Sequence, residues 1–127
     1  MSQFTTELVV KQLNERWWVL KEGFEYHVGE YPSKEIIIVP AGFITDFASV
    51  PKIFWGIIKP TGKHGKAAVI HDYCYATAIY SKFRSDQIFL EAMTVLGVEP
   101  WKRNVMFHAV VCFGFFAWIK RRFIKRV

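Results

Sequence analysis

The chain has 127 residues, 52% apolar and 17% aromatic, with a formal net charge of +6. That length suits one domain, 1–127, with a real hydrophobic core, and the aromatic surplus calls for a large core, a partner or a membrane surface to receive it. Two cysteines, Cys74 and Cys112, exclude a disulfide framework, and no CxxC or Cys/His spacing suits zinc. No basic start followed by an apolar run opens "MSQFTTELVVKQLNERWW", so the chain is expected inside the cell when made, with its thiols reduced. The charge is unevenly placed. From Trp101 onward there are seven basic residues (Lys102, Arg103, Lys120, Arg121, Arg122, Lys125, Arg126) and no acidic one, so the excess positive charge belongs to the C-terminal part.

In chain order, residues 1–48 read as β-rich. "ELVVKQL" and "RWWVL" flank Asn14-Glu15 as a hairpin would, "FEYHV" alternates after Gly23, and "EIIIV" is a short run of the fully buried type. "PAGFITDFASVP" reads as a strand entry and a loop, and Ser49 before Val50-Pro51 is placed to cap a short helix, "PKIFWGII". Residues 49–127 read as helical. After a "PTGKHG" turn, one helix runs roughly from Lys66 to Tyr80. A second runs from about Ser85, its expected cap, to Leu96, with Asp86 in the first turn and Gly97 as the stop. The third begins at Pro100 and continues to about residue 125. The fold class is therefore α+β, a small N-terminal antiparallel β-sheet followed by three main helices.

The third helix raises a membrane question. Val105 to Ile119 is apolar apart from His108 and has basic residues at both ends, but it is fifteen residues long, short of the roughly 20 that a span requires. A buried core helix or an interfacial anchor is the expectation. Anionic membrane surfaces and proteins are the partners it suits. Nucleic acid is the lesser reading, because apolar residues interrupt the basic ones and no known binding motif is present.

The chain has three aspartates, Asp46, Asp72 and Asp86. Asp72 stands in a helix among Val69, Ile70 and Tyr73, where an unpaired buried carboxylate would cost several kcal/mol. Ala68, His71, Asp72, Tyr75 and Ile79 form one helical stripe, so His71 and Tyr75 share a face with Asp72 at its edge. A short connection, "SKFRSD", makes an antiparallel helical hairpin the natural packing. Asp86 would then lie near the end of the first helix, and reaching His71 would take a crossed or staggered arrangement. If it does reach, a carboxylate on one ring nitrogen fixes the tautomer and makes the other nitrogen a base. Asp72 could then hold a divalent cation or a positive substrate group. On the spacing alone a satisfied polar pair stays open as the other explanation.

"VPAGFITDFASVP", "GKAAVIHDYCY" and "RSDQIFLEAM", in that order between Val39 and Met93, resemble the phage and prophage domain-of-unknown-function family numbered 1353. The resemblance implies bacteriophage origin, synthesis in the host cytoplasm, and no established activity. His71-Asp72-x-x-Tyr75 followed by Asp86-x-x-Phe89 is also similar to the two-helix core of secreted phospholipase A2 enzymes. That similarity implies His71 as the base that activates water, Asp86 as the carboxylate that orients it, Tyr75 as a supporting hydroxyl and Asp72 as a calcium ligand. No glycine-rich calcium loop precedes the helix, and Asp46 is the residue that could supply a ligand instead. Two classes of function follow. One is a small hydrolase acting at the host envelope, membrane-associated and with a phospholipid ester as favoured substrate. The other is a virion, tail-assembly or host-interaction component in which the same polar cluster is a structural clasp.

Overall fold

The computed structural model describes residue 4 and residues 8–13, 17–45 and 65–126 of the chain. The proposed short helix in "PKIFWGII", its cap Ser49, and Asp46 lie outside the described residues. The described residues between Val10 and Thr45 carry the β structure. Strands β1 (Val10–Gln12) and β2 (Trp18–Leu20) pair antiparallel with Val10 opposite Leu20. The expected hairpin thus forms, closed by Leu13 N–H donating to the Trp17 carbonyl at 2.9 Å. Strands β3 (Phe24–His27) and β4 (Ile36–Val39) form a second antiparallel pair, and β5 (Ile44–Thr45) adds to the free edge of β2. The β layer is therefore two sheets, β1-β2-β5 and β3-β4.

"EIIIV" departs from the expected fully buried run. Ile37 and Val39 are buried, while Ile36 and Ile38 face solvent. The physical reason is one-sided cover: α1 (Gly65–Thr77) packs on β4 and β5 and leaves the other face of the strand open.

Helix α1 is the centre of the molecule, meeting β4 and β5, α2 (Lys82–Val95) and α3 (Pro100–Arg126). A helix with neighbours on all sides is buried all round. Gly65, Ala67, Ala68, Val69, Ile70, His71, Asp72, Cys74 and Tyr75 are all buried. The small residues Ala67 and Ala68 let the neighbours approach closely. Side chains such as Ile70, Ile88, Phe89 and Met93 fill the core and each contribute about 1.5–3 kcal/mol on burial.

Two helix boundaries differ from the expectation. Helix α1 stops at Thr77, not Tyr80, because Ala78 turns left-handed with φ +54° while its N–H still bonds the Cys74 carbonyl at 2.8 Å. A non-glycine residue there costs roughly 1–2 kcal/mol, which the packing of the following helix must offset. Helix α2 begins at Lys82, capped by Ser81 and not by Ser85: the Ser81 hydroxyl accepts from Arg84 N–H at 3.1 Å from an extended backbone. The Ser85 hydroxyl donates back to the Ser81 carbonyl at 2.8 Å. Asp86 is consequently inside the helix and not in its dipole-favoured first turn. The expected stop at Gly97 holds, with φ +76° and the paired bonds Gly97 N–H to Thr94 and Val98 N–H to Met93 that close a helix C-terminus.

Candidate active site

The helical hairpin brings His71 and Asp86 together. His71 stands six residues before the end of α1 and Asp86 four residues after the start of α2. Antiparallel neighbours with a short turn therefore face each other at these positions. His71 Nε2 lies 2.7 Å from Asp86 Oδ1, and the Tyr75 hydroxyl donates to the same oxygen at 2.6 Å. Tyr75 reaches it because it sits one turn after His71, as the stripe predicts. The imidazole packs against Tyr75 and Phe89, with ring centroids 4.1 and 4.7 Å away and the planes tilted by 45° and 40°. All three polar groups are in the interior: His71 and Asp86 are 2% exposed and Tyr75 1%.

Lys82 completes the arrangement and was not anticipated. Its Nζ donates to Asp86 Oδ2 at 2.8 Å and to the carbonyls of Val110 and Val111 in α3 at 3.1 and 3.3 Å. A lysine at the first residue of a helix is unfavourable for the helix dipole, so its place is explained by this tertiary role. The available signal was the i, i+4 spacing of Lys82 and Asp86. It is readable only once the helix is begun at Ser81.

The electrostatics follow from these contacts. Burial is the largest single influence on Asp86 and opposes its ionisation. The hydrogen bond from His71 and the charge attraction of its ring when protonated, followed by the hydrogen bonds from Lys82 and Tyr75, outweigh it together, and the carboxyl is held below its ordinary range. Asp86 is thus a carboxylate with both oxygens engaged. The Tyr75 phenol moves the other way, pushed up by burial and then by donation to a carboxylate, so it stays a neutral donor.

In the neutral ring, donation of the Nε2 hydrogen to Asp86 leaves the basic lone pair on Nδ1. The group can orient an imidazole and stabilise it when protonated. Asp72 is buried too, at 4% exposed, but one residue on it points about 100° further around the helix. Of the acidic residues expected at one imidazole, Asp86 is brought there, Asp72 flanks it, and Asp46 is outside the described residues. Among the described residues no group of three or more His, Cys, Asp or Glu side chains converges. Calcium takes six to eight oxygen ligands, so the described residues do not by themselves fit it.

A second polar link joins the layers. The Tyr26 hydroxyl of β3 donates to Glu91 Oε1 of α2, which also accepts from Gly29 N–H at 2.8 Å. Cys74 is buried beside Ser85, its thiol pushed up to about 12 by burial, and is inert.

Comparison with known proteins adds a family and little chemistry. The family model described as "Protein of unknown function (DUF1353)" matches residues 17–110, a stretch that holds β2 to β5, α1, α2 and the Asp86 cluster. "Uncharacterized protein y4jT" of Sinorhizobium fredii (strain NBRC 101917 / NGR234) is 38% identical over 78 residues, which is 60% of this chain. The match covers 23% of that protein's length. No solved structure matches the chain.

Proposed function

The chain belongs to the DUF1353 family, and on that footing we propose that it is a bacteriophage-encoded hydrolase whose general base is His71, acting on a phospholipid ester of the host envelope. The carrying observation is the 2.7 Å contact of His71 Nε2 with an Asp86 that Tyr75 and Lys82 also hold. The phage setting rests on the three sequence blocks between Val39 and Met93. In the proposed reaction His71 Nδ1 takes a proton from water as its oxygen attacks the ester carbonyl. Asp86, accepting the Nε2 hydrogen, stabilises the imidazolium. The proton then passes to the departing alcohol oxygen, giving a fatty acid and a lysophospholipid. Tyr75 and Lys82 are positioning residues in this scheme. No step is assigned to a cation.

The test is fatty-acid release from phospholipid vesicles by the purified chain, with calcium in one arm and a chelator in the other. Wild type should release fatty acid, and His71→Gln should lower the rate by about 100-fold or more while still unfolding cooperatively. Absence of release by wild type in both arms removes the proposal.

A second reading is favoured by the burial of His71, Tyr75 and Asp86. In it the cluster is a clasp that locks α1, α2 and α3 together in a virion or tail-assembly component. His71→Gln would then lower the melting temperature, and wild type would turn over no ester.

A further inference from the structure

Helix α3 has two apolar faces, and the fold uses one. Met106, Val110 and Gly114, four residues apart, are buried on the side that meets α1 and α2. Trp101, Val105, His108, Cys112 and Ile119 recur at helical spacing along the opposite side and are exposed. Trp101 is 49% and Val105 41% exposed, and Val111 flanks the stripe at 44%. The stripe is about 27 Å long at 1.5 Å per residue. Lys102 and Arg103 stand at its start, Lys120, Arg121, Arg122, Lys125 and Arg126 follow its end, and no acidic residue occurs from Trp101 onward.

We propose that this outer face of α3 docks flat on an anionic lipid surface. An exposed apolar stripe on a folded protein marks a partner. The charge pattern selects which one. A second copy packed on the same stripe, parallel or antiparallel, would set the basic C-terminal run against a basic end, and the carboxylate beside the stripe, Glu99, is already taken up by Lys102 at 3.5 Å and by the Trp101 indole N–H at 3.2 Å. An anionic surface complements the C-terminal basic run and competes with Glu99 for Lys102, while the stripe enters the boundary between headgroups and acyl chains. No helix among the described residues is long and apolar enough to cross a membrane, so the helix lies on the bilayer. The docking face is turned away from Tyr75 and Lys82. It anchors the chain and is independent of turnover at His71.

Cys112 supplies the probe. It is exposed on the stripe, whereas Cys74 is buried with its thiol pushed up to about 12, so a polarity-sensitive maleimide attaches to Cys112 in the folded chain. The labelled full chain is mixed with vesicles of phosphatidylglycerol and phosphatidylcholine in equal parts, or of phosphatidylcholine alone, in calcium-free buffer. Co-sedimentation of unlabelled chain runs alongside. The label should shift to the blue and the chain should sediment with the anionic vesicles only. Lys102→Glu should weaken partitioning about fivefold or more, and the double variant V105E/I119E about tenfold or more, without change in melting temperature. The proposal is overturned if wild type ignores anionic vesicles, binds neutral ones equally, or loses nothing in the double variant. Vesicle binding by a chain that releases no fatty acid supports the docking face and removes the hydrolase.

Discussion

A methyl group placed on Gly114 of α3 would lie 2.7 Å from the Tyr75 hydroxyl oxygen, the atom that donates to Asp86. The C-terminal helix therefore seats directly against the polar cluster, and Trp118 one turn later closes edge-on over the same ring at 5.2 Å. Glycine inside a helix costs about 1 kcal/mol relative to alanine, so Gly114→Ala would stabilise an isolated α3. In the folded chain the clash decides. Tyr75 is buried and held by a 2.6 Å hydrogen bond, and cannot move aside without losing it. Gly114→Ala should destabilise the protein by about 1–3 kcal/mol, read as a lower denaturant midpoint at unchanged slope. A midpoint at or above wild type would mean that α3 does not press on Tyr75.

Asp86 is the group on which acid stability depends. Its folded pKa is depressed, so its contribution is fully present above the ordinary carboxylate value of 3.8 and is lost as pH falls from there through the folded value. Asp86→Asn removes the charge and one of the two acceptor oxygens that His71, Tyr75 and Lys82 share, sets an amide N–H₂ against one of those donors, and should cost about 2–4 kcal/mol at neutral pH. The gap between variant and wild type should narrow below that pH. Urea titrations at a series of pH values from neutral to acid check both statements.

Lys82→Met keeps the length and apolar stem of the side chain and deletes the ammonium. Asp86 then loses its only cationic aliphatic partner among the described contacts and titrates higher. The acid unfolding midpoint should rise by a measurable fraction of a pH unit, and neutral stability should fall by about 1–3 kcal/mol. An acid midpoint that stays put would assign Lys82 to α3 alone.

The two thiols should differ sharply. With Cys112 exposed and Cys74 buried with a thiol pushed up to about 12, a thiol reagent at mildly alkaline pH should modify one cysteine in the folded chain and both after denaturation. Rapid modification of both in the native protein would show that α1 is not the buried centre.

Ser81→Ala tests where α2 begins. Loss of the hydroxyl that accepts from Arg84 N–H should cost about 1 kcal/mol by thermal or chemical unfolding. Ser85→Ala should leave that N-terminus capped.

Local rules carried much of the architecture. The β1–β2 hairpin, the β3 and β4 strands, the Gly97 stop, the Pro100 start, and the shared face of His71 and Tyr75 all follow from alternation, helical spacing and turn chemistry, which act over a few residues. Where α2 starts does not follow. Ser81 and Ser85 are equally good caps in isolation, and the choice falls to packing: beginning at Lys82 sets Asp86 opposite His71 and lets Lys82 reach both Asp86 and the α3 carbonyls. The left-handed turn at Ala78 and the exposure of Ile36 and Ile38 are likewise tertiary outcomes, since each depends on what lies against the element. Sequence by itself determined the helices, the strands and the His71–Tyr75 register. Only the folded neighbours decided that Asp86 bonds the imidazole, that Lys82 joins it, and that Gly114 must stay bare, because those are distances between segments far apart in the chain.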